Sequence, residues 1–515
     1  MEPEPKALSQ DDTEFALRTL LKIMVVSQVK LTLTEGVFLI GFAILLGAPV
    51  YVIGILAAIP SFSQLAQVPA LYLTVKYKTR KPINVYTILS SRIAILFMAL
   101  IPFISTSELG VLLFTVLVGV QAMFVAIGSP SWNSWLRDLV PQDRMGVFFS
   151  KRMTIGAVVA VIVSLLGGYF VGVWNALNVG PPAYAYSVLF VTAFAVGVIT
   201  VYYIHVLPEP EMAPPGPRPS FSSLLGEPYR DENFRNLMLF SATWSFSTAL
   251  AAPFFAVYLL DGSLLNVGLP VATALSASTQ VMSILFLRFW GRLSDRFSNK
   301  SVLLVTVPLF MLGTFLWVLS KYAKGTPALI PFLLLIHIIT GISAAGVNLT
   351  SSNIGLKLAP RGEAQSYLAA RGIAIAVAGL VAPLVGGVLA TLLADKTLSM
   401  GFDLISGTDP THPDWHIPIK LDLTGLDFVF VGSALLGFYA LHRLALVKET
   451  GEVDEKMVIE AIVSETRRNV KTLSTVDGLR HSISVPLSSI KVALKRMGHQ
   501  EKKDTCAEDD REQVD

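Results

Sequence analysis

The residues of this sequence that could do chemistry are ionisable and amide side chains set inside long apolar runs. SQVKLTLTEG, residues 27–36, carries Lys30 and Glu35; TILSSRIAILF carries Arg92; LLLIHIITG carries His337, with Asn348 further along the same run. An ionisable group at the centre of a membrane helix costs roughly 2.5–3.5 kcal/mol on insertion scales, so each is a candidate for binding or proton handling. At about 100° per residue, Ser27, Gln28, Lys30, Thr32, Thr34 and Glu35 share one broad arc, opposite Val25, Val26, Val29, Leu33 and Val37. In a continuous helix Lys30 and Glu35 lie about 140° apart. This predicts Glu35 facing a cavity, in substrate or proton handling, with Lys30 nearby but paired elsewhere. Helix packing by one or both charges is the competing reading.

Other apolar runs carry weaker signals. Ser241, Trp244, Ser245 and Thr248 form a single helical stripe, His337, Thr340 and Asn348 share a face, and Gln121 and Gln280 stand alone. Small polar residues are also ordinary helix-packing groups in membranes. Arg92 is expected to turn inward to a carboxylate or to helix carbonyls, in a structural role. Arg137, Asp138, Arg152 and Arg371 are structural or coupling charges near run ends.

These residues need long helices to hold them, and the composition supplies them. Of 515 residues 53% are hydrophobic and 15% charged, with mean hydropathy +0.61. A bilayer span needs roughly 20 mostly apolar residues, and twelve such runs occur, at about 20–46, 49–73, 83–103, 109–128, 153–174, 184–206, 237–260, 267–290, 301–319, 327–349, 368–393 and 428–446. Lipid leaves no solvent for unpaired backbone, so helices are expected throughout. The acidic start MEPEPKALSQDDTEF lacks the basic region of a secretory signal. One cysteine, Cys506, supports neither a disulfide nor a thiolate metal site.

Connections alternate in basic content. Lys76, Lys78, Arg80 and Lys81 follow span 2, and Arg137, Arg144, Lys151 and Arg152 follow span 4. Arg292, Arg296 and Lys300 follow span 8, and Lys357, Arg361 and Arg371 follow span 10. Basic loops stay cytoplasmic, which places both termini in the cytoplasm; the membrane expected is the plasma (inner) membrane. The expected organisation is a cytoplasmic N-terminus over 1–19, a six-helix bundle over 20–206, a linker over 207–235, a second bundle over 236–446 and a cytoplasmic tail over 447–515. The two bundles also resemble each other. NSWLRDLVPQDRMGVFFSKR and NIGLKLAPRGEAQSYLAAR match without gaps from the proline on, pairing Pro141 with Pro360, Arg152 with Arg371 and Gly167-Gly168 with Gly386-Gly387. Parallel six-span repeats are an architecture of transporters whose halves rock about a midplane site.

Between spans 8 and 9 stands GRLSDRFSNK, residues 291–300. It resembles the cytoplasmic loop motif of the major facilitator superfamily, G-x-L-[small]-D-R-x-G-[R/K]-[R/K]. Gly291, Leu293, Ser294, Asp295, Arg296 and Lys300 match, Ser298 and Asn299 depart, and YLTVKYKTRK in the first half has Lys76 in place of the aspartate. The resemblance covers about residues 15–446. It implies an all-α integral membrane fold of twelve transmembrane helices in two pseudo-symmetric six-helix bundles. It also implies that spans 1, 4, 7 and 10 line a central cavity. Lys30, Glu35, Gln121, Trp244, Gln280, His337 and Asn348 are then the cavity candidates. Gly291, Asp295, Arg296 and Lys300 become a cytoplasmic gate, in which Asp295 latches that side shut in the outward-open state.

The function expected is secondary active transport of a small solute, coupled to an ion, the proton, by a monomer in the lipid bilayer. No enzyme activity, cofactor, metal or nucleic-acid partner is expected, and no G-x-x-x-x-G-K-[ST] nucleotide cradle occurs. The alternative is a transporter-like receptor or assembly component that signals through its tail. In 395–427 His412, Asp414 and His416 match no strong metal template, and a solvated loop is expected there. The topology has a direct check, cysteine labelling in a Cys506-free background. Residues 220 and 296 should label only from the cytoplasm and residue 410 only from outside; the reverse pattern would overturn it.

Overall fold

In a computed structural model of the protein, residues 9–67, 69–70, 79–105, 107–210, 221–360, 363–406 and 415–449 are described. The chain enters helix at Ser9, whose hydroxyl accepts from Asp12 N at 3.1 Å, with Asp11 and Asp12 in the positive first turn. Helix α1 spans Gln10–Thr34 and α2 Gly36–Leu45; together they form the first span. Helices α3 (Val50–Ser63), α4 (Lys81–Ile104), α5 (Glu108–Leu139), α6 (Met145–Ala176) and α7 (Pro182–Val206) complete the first half. A short α8 (Phe221–Arg230) lies in the expected linker. Helices α9 (Glu232–Leu260), α10 (Leu269–Arg296), α11 (Asn299–Leu319), α12 (Leu329–Leu358), α13 (Ala364–Leu392) and α14 (Leu426–Ala445) form the second half.

Among the described residues eleven helical segments are long and apolar enough to cross a membrane, α1 and α2 counting as one. The expected span 49–73 is represented by the shorter apolar stretch Val50–Ala66; residues 71–73 fall outside the described set.

Helix packing repeats between the halves. α1 packs on α6 and α7 as α9 packs on α13 and α14, and α4 meets α5 and α7 as α11 meets α12 and α14. α3 meets α5 as α10 meets α12. The two halves join through a matching pair, α3 on α13 and α10 on α6. These joints close at one end of the bundle because glycine removes the side chains that would hold the helices apart. A Cβ at Gly168 would strike the Thr273 side chain, and one at Gly54 would strike the Pro383 carbonyl.

At that same end the 395–427 connection is not an open loop. Strand β1 (Thr397–Ser406) pairs antiparallel with β2 (Trp415–Thr424), Thr397 opposite Thr424. His412 and Asp414 lie outside the described residues; His416 belongs to β2. The hairpin is anchored by fully buried Asp427, which accepts from Lys321 Nζ at 2.6 Å, Thr424 N at 3.0 Å and the Tyr258 hydroxyl at 3.1 Å.

The opposite, basic end is tied by two carboxylates in equivalent places. Beyond α7, Glu209 accepts from the backbone N–H groups of Arg80 and Lys81, where α4 begins. Beyond α14, Glu449 accepts from Lys300 N at 2.8 Å, Asn299 Nδ2 at 2.9 Å and Lys357 Nζ at 2.8 Å, where α11 begins. Each satisfies orphan donors at a helix N-terminus and complements its dipole. Burial alone would raise the Glu449 carboxyl, but these hydrogen bonds outweigh it and hold the group below the ordinary carboxylate range. A depressed folded-state pKa stabilises above the unfolded pKa, and that stability is lost as pH falls through the folded value. Glu449→Gln is therefore expected to cost about 1–3 kcal/mol at neutral pH and to flatten the acid limb of thermal stability. An unchanged acid limb would contradict the cap.

Candidate functional site

The first span breaks at its acidic residue. Glu35 is extended, at φ −131 and ψ 177, and Gly36 is left-handed, at φ +58. Only glycine adopts that conformation without a Cβ penalty. The break swings Glu35 out of helical register, and its Oε1 comes to 3.8 Å from Lys30 Nζ. The expectation that Lys30 pairs elsewhere is thereby corrected. It assumed an unbroken helix, in which these positions point apart. Lys30 is 4% exposed, whereas the Glu35 side chain is about half exposed.

Glu35 opens onto a cavity of about 540 Å3 between the halves. Lys30, Thr34, Glu35 and Gln121 supply its polar wall, α3 adds Ser61, and Gln64 follows just beyond the end of α3. The second half contributes Ala249, Ala252 and Pro253 of α9 and Gly379 and Pro383 of α13. Beyond Lys30 a second cavity, of about 320 Å3, lies within the first half, lined by Lys30, Arg92 and Arg152 among others. Lys30, Leu31 and Val125 face both spaces.

The remaining candidates disperse. Trp244, Gln280, His337 and Asn348, expected on the central cavity, do not line it. The polar stripe of α9 is used for packing, since Ser245 donates to Ile375 O at 3.2 Å and Trp244 meets Phe310 edge-on. His337 is joined through Nδ1 to Thr279 Oγ1 at 2.8 Å and meets Trp317 edge-on. Gln280 and Asn348 are exposed. Arg92 makes no ion pair and no hydrogen bond to a helix carbonyl among the described residues: one terminal nitrogen donates to Ser91 Oγ at 3.0 Å and the side chain lies against Gly197.

Among the gate candidates, Asp295 and Arg296 are exposed, and a Cβ added at Gly291 would meet Leu349 only at ordinary contact distance. Lys300 is buried, its ammonium donating to Ala445 O at 3.2 Å. Arg371 donates to Ser241 Oγ at 2.7 Å and Ser351 Oγ at 3.2 Å, tying α13 to α9 and α12. Asp138 pairs with buried Arg80 at 2.5 Å and with exposed Arg137 at 3.4 Å. In the sequence Arg80 is read only as one of the basic residues that set topology, and Glu209 and Glu449 are not singled out. The visible signal is a carboxylate just past the last apolar residue of each half.

This architecture defines a class of membrane transporter, and comparison with known proteins gives the family. The Major Facilitator Superfamily model matches residues 24–383, more than half of the chain, so the protein belongs to that superfamily. An uncharacterized MFS-type transporter, YxiO, from Bacillus subtilis (strain 168) is 23% identical over 285 residues, a match spanning 53% of this chain and 63% of that protein. Among solved structures, the nucleoside transporter NupG (D323A mutant) superposes with TM-score 0.61 at 14% identity, covering 84% of this chain and all of that one. A bacterial homolog of the human lysosomal transporter Spinster reaches TM-score 0.61 at 16% identity, covering 85% and 97%. A D-xylose-proton symporter reaches 0.59 at 11% identity, covering 87% and 99%. These likenesses show the fold, and the family match makes the chain a multi-pass membrane protein of the superfamily.

The helix break carries its own test. Gly36→Ala meets no neighbouring atom within 4 Å, so any cost must come from the backbone, about 1–2 kcal/mol for an L-residue held left-handed. A lower melting temperature is expected, and an unchanged one would mean that residue 36 does not need its positive φ.

Proposed function

We propose that the protein moves a small solute across the plasma (inner) membrane by alternating access, coupled to protons, working as a monomer. The halves divide at the linker around 207–235, with both termini cytoplasmic. The observation that carries this reading is the Lys30–Glu35 pair at a helix break, facing a cavity bounded by both halves. Broken helices at the bilayer midplane are where transporters of this build hold solute and coupling ion. The close glycine contacts between the halves lie at the hairpin end. With the basic loops cytoplasmic, that arrangement fits a state closed to the outside.

Protonation at Glu35 Oε1 would remove the counter-charge of Lys30 and free its ammonium for solute. Arg92 is the other cation near this pair, facing the cavity that Lys30 also lines. Asp295, exposed and without an ion pair among the described residues, is then the latch for the opposite state. Arg137, Asp138 and Arg371 hold helices in place.

Glu35→Gln mimics the protonated acid. In proteoliposomes with an imposed pH gradient, this variant should lose gradient-driven accumulation while retaining solute exchange. Wild-type accumulation with a wild-type pH profile would sink the coupling role. Flux should survive deletion of 450–515; its loss would favour the receptor reading.

A further inference from the structure

We propose that the cavity within the first half binds the anionic group, a carboxylate or a phosphate, of a small water-soluble solute with an apolar body. Its three ionisable wall residues are all cations, Lys30, Arg92 and Arg152, and no aspartate or glutamate lines it. Buried charges are paired or they are costly. Among the described residues Lys30 has only Glu35 as a counter-charge, at 3.8 Å on the neighbouring cavity. Arg92 is 5% exposed and its Nε has no hydrogen-bond partner among the described residues. Thr200, 1% exposed on the same wall, has no hydrogen-bond partner for its Oγ1 among the described residues.

The internal repeat supplies a control. Arg152 and Arg371 occupy matching positions, yet Arg371 is satisfied by Ser241 and Ser351. Arg152 has no hydrogen bond or ion pair among the described residues and borders an open space instead. Both halves keep the arginine; the second half satisfies it with hydroxyls, and the first half sets it against an open space. An anion in this space would bring a counter-charge to a wall that carries these cations and would give Thr200 Oγ1 an acceptor. Arginine is suited to it, since its fork of donors matches carboxylate and phosphate oxygens. Leu20, Ile23, Leu136 and Ile204 make the rest of the wall largely apolar. A volume of about 320 Å3 is at the lower end of small-molecule sites, which begin at roughly 300 Å3. This assignment rests on the transporter reading only for calling the ligand its substrate.

The test uses purified full-length protein in a neutral detergent. Thermal unfolding is followed with benzoate, hexanoate and phenyl phosphate, with the neutral benzamide and hexanamide, and with phosphatidylglycerol. At least one soluble anion should stabilise saturably and its amide should not. Arg92→Gln and Arg152→Gln should each weaken that effect about tenfold or more. Arg152 is partly exposed, so its variant keeps the test open where the buried Arg92 variant fails to fold. Three results would overturn the proposal. They are no saturable effect from any soluble anion, an effect that survives in both variants, and stabilisation by phosphatidylglycerol alone. Counterflow in liposomes separates the two readings. Arginine-dependent binding without flux keeps the site and removes the transporter. Flux of a neutral solute without anion binding does the reverse.

Discussion

A lysine ammonium taken out of water has to find a counter-charge, and Lys30 finds one only because its own helix stops five residues later. Had the helix run on, Glu35 would point away and the ammonium would sit, 4% exposed, on the same cavity wall as Arg92 with no carboxylate in reach. Left-handed Gly36 is what the chain spends to avoid this. The break then fixes much else. It turns α2 toward the α9 side of the interface, sets the acidic Glu35 on the wall of the central cavity, and leaves Lys30 as the partition between that space and the cationic cavity behind it.

Around that centre the two ends of the bundle are built differently. The hairpin end is closed by the absence of side chains, at Gly54 and Gly168, where helix backbones and small side chains meet directly. The basic end is secured within each half, by Glu209 and Glu449 capping α4 and α11. Each cap ties the far end of its half to the start of that half's third span, so a half can move as one piece. Rigid halves joined by smooth glycine contacts suit rocking better than local deformation.

Much of this was legible in the sequence. Eleven of the expected spans and the site of the twelfth could be read because lipid permits only helices, and the repeat could be read because Arg152 and Arg371 keep their spacing. The Lys30–Glu35 pairing could not be read from helical geometry, since a periodicity argument assumes the helix it is applied to. The glycine directly after Glu35 was the available sign, because glycine is the usual residue where a helix stops in a left-handed turn. The hairpin was missed for a similar reason. WHIPIKLDLT alternates apolar and polar residues at a period of two, but its position in a long polar connection argued for a loop. His337 and Trp244 misled because a polar stripe reads the same whether it faces a cavity or a neighbouring helix. Arg92 is half legible: its burial follows from its span, but its lack of an ion pair among the described residues does not.

The account stands on the two halves exchanging access about the charged cavity, and distances between spin labels across both ends measure that most directly. One pair is placed at residues 177 and 263 at the hairpin end, the other at 153 and 356 at the basic end, all exposed positions. In reconstituted protein brought from alkaline to acid pH, the two distances are predicted to change in opposite directions. Distances that both stay fixed, or that lengthen together, would contradict alternating access in this protein.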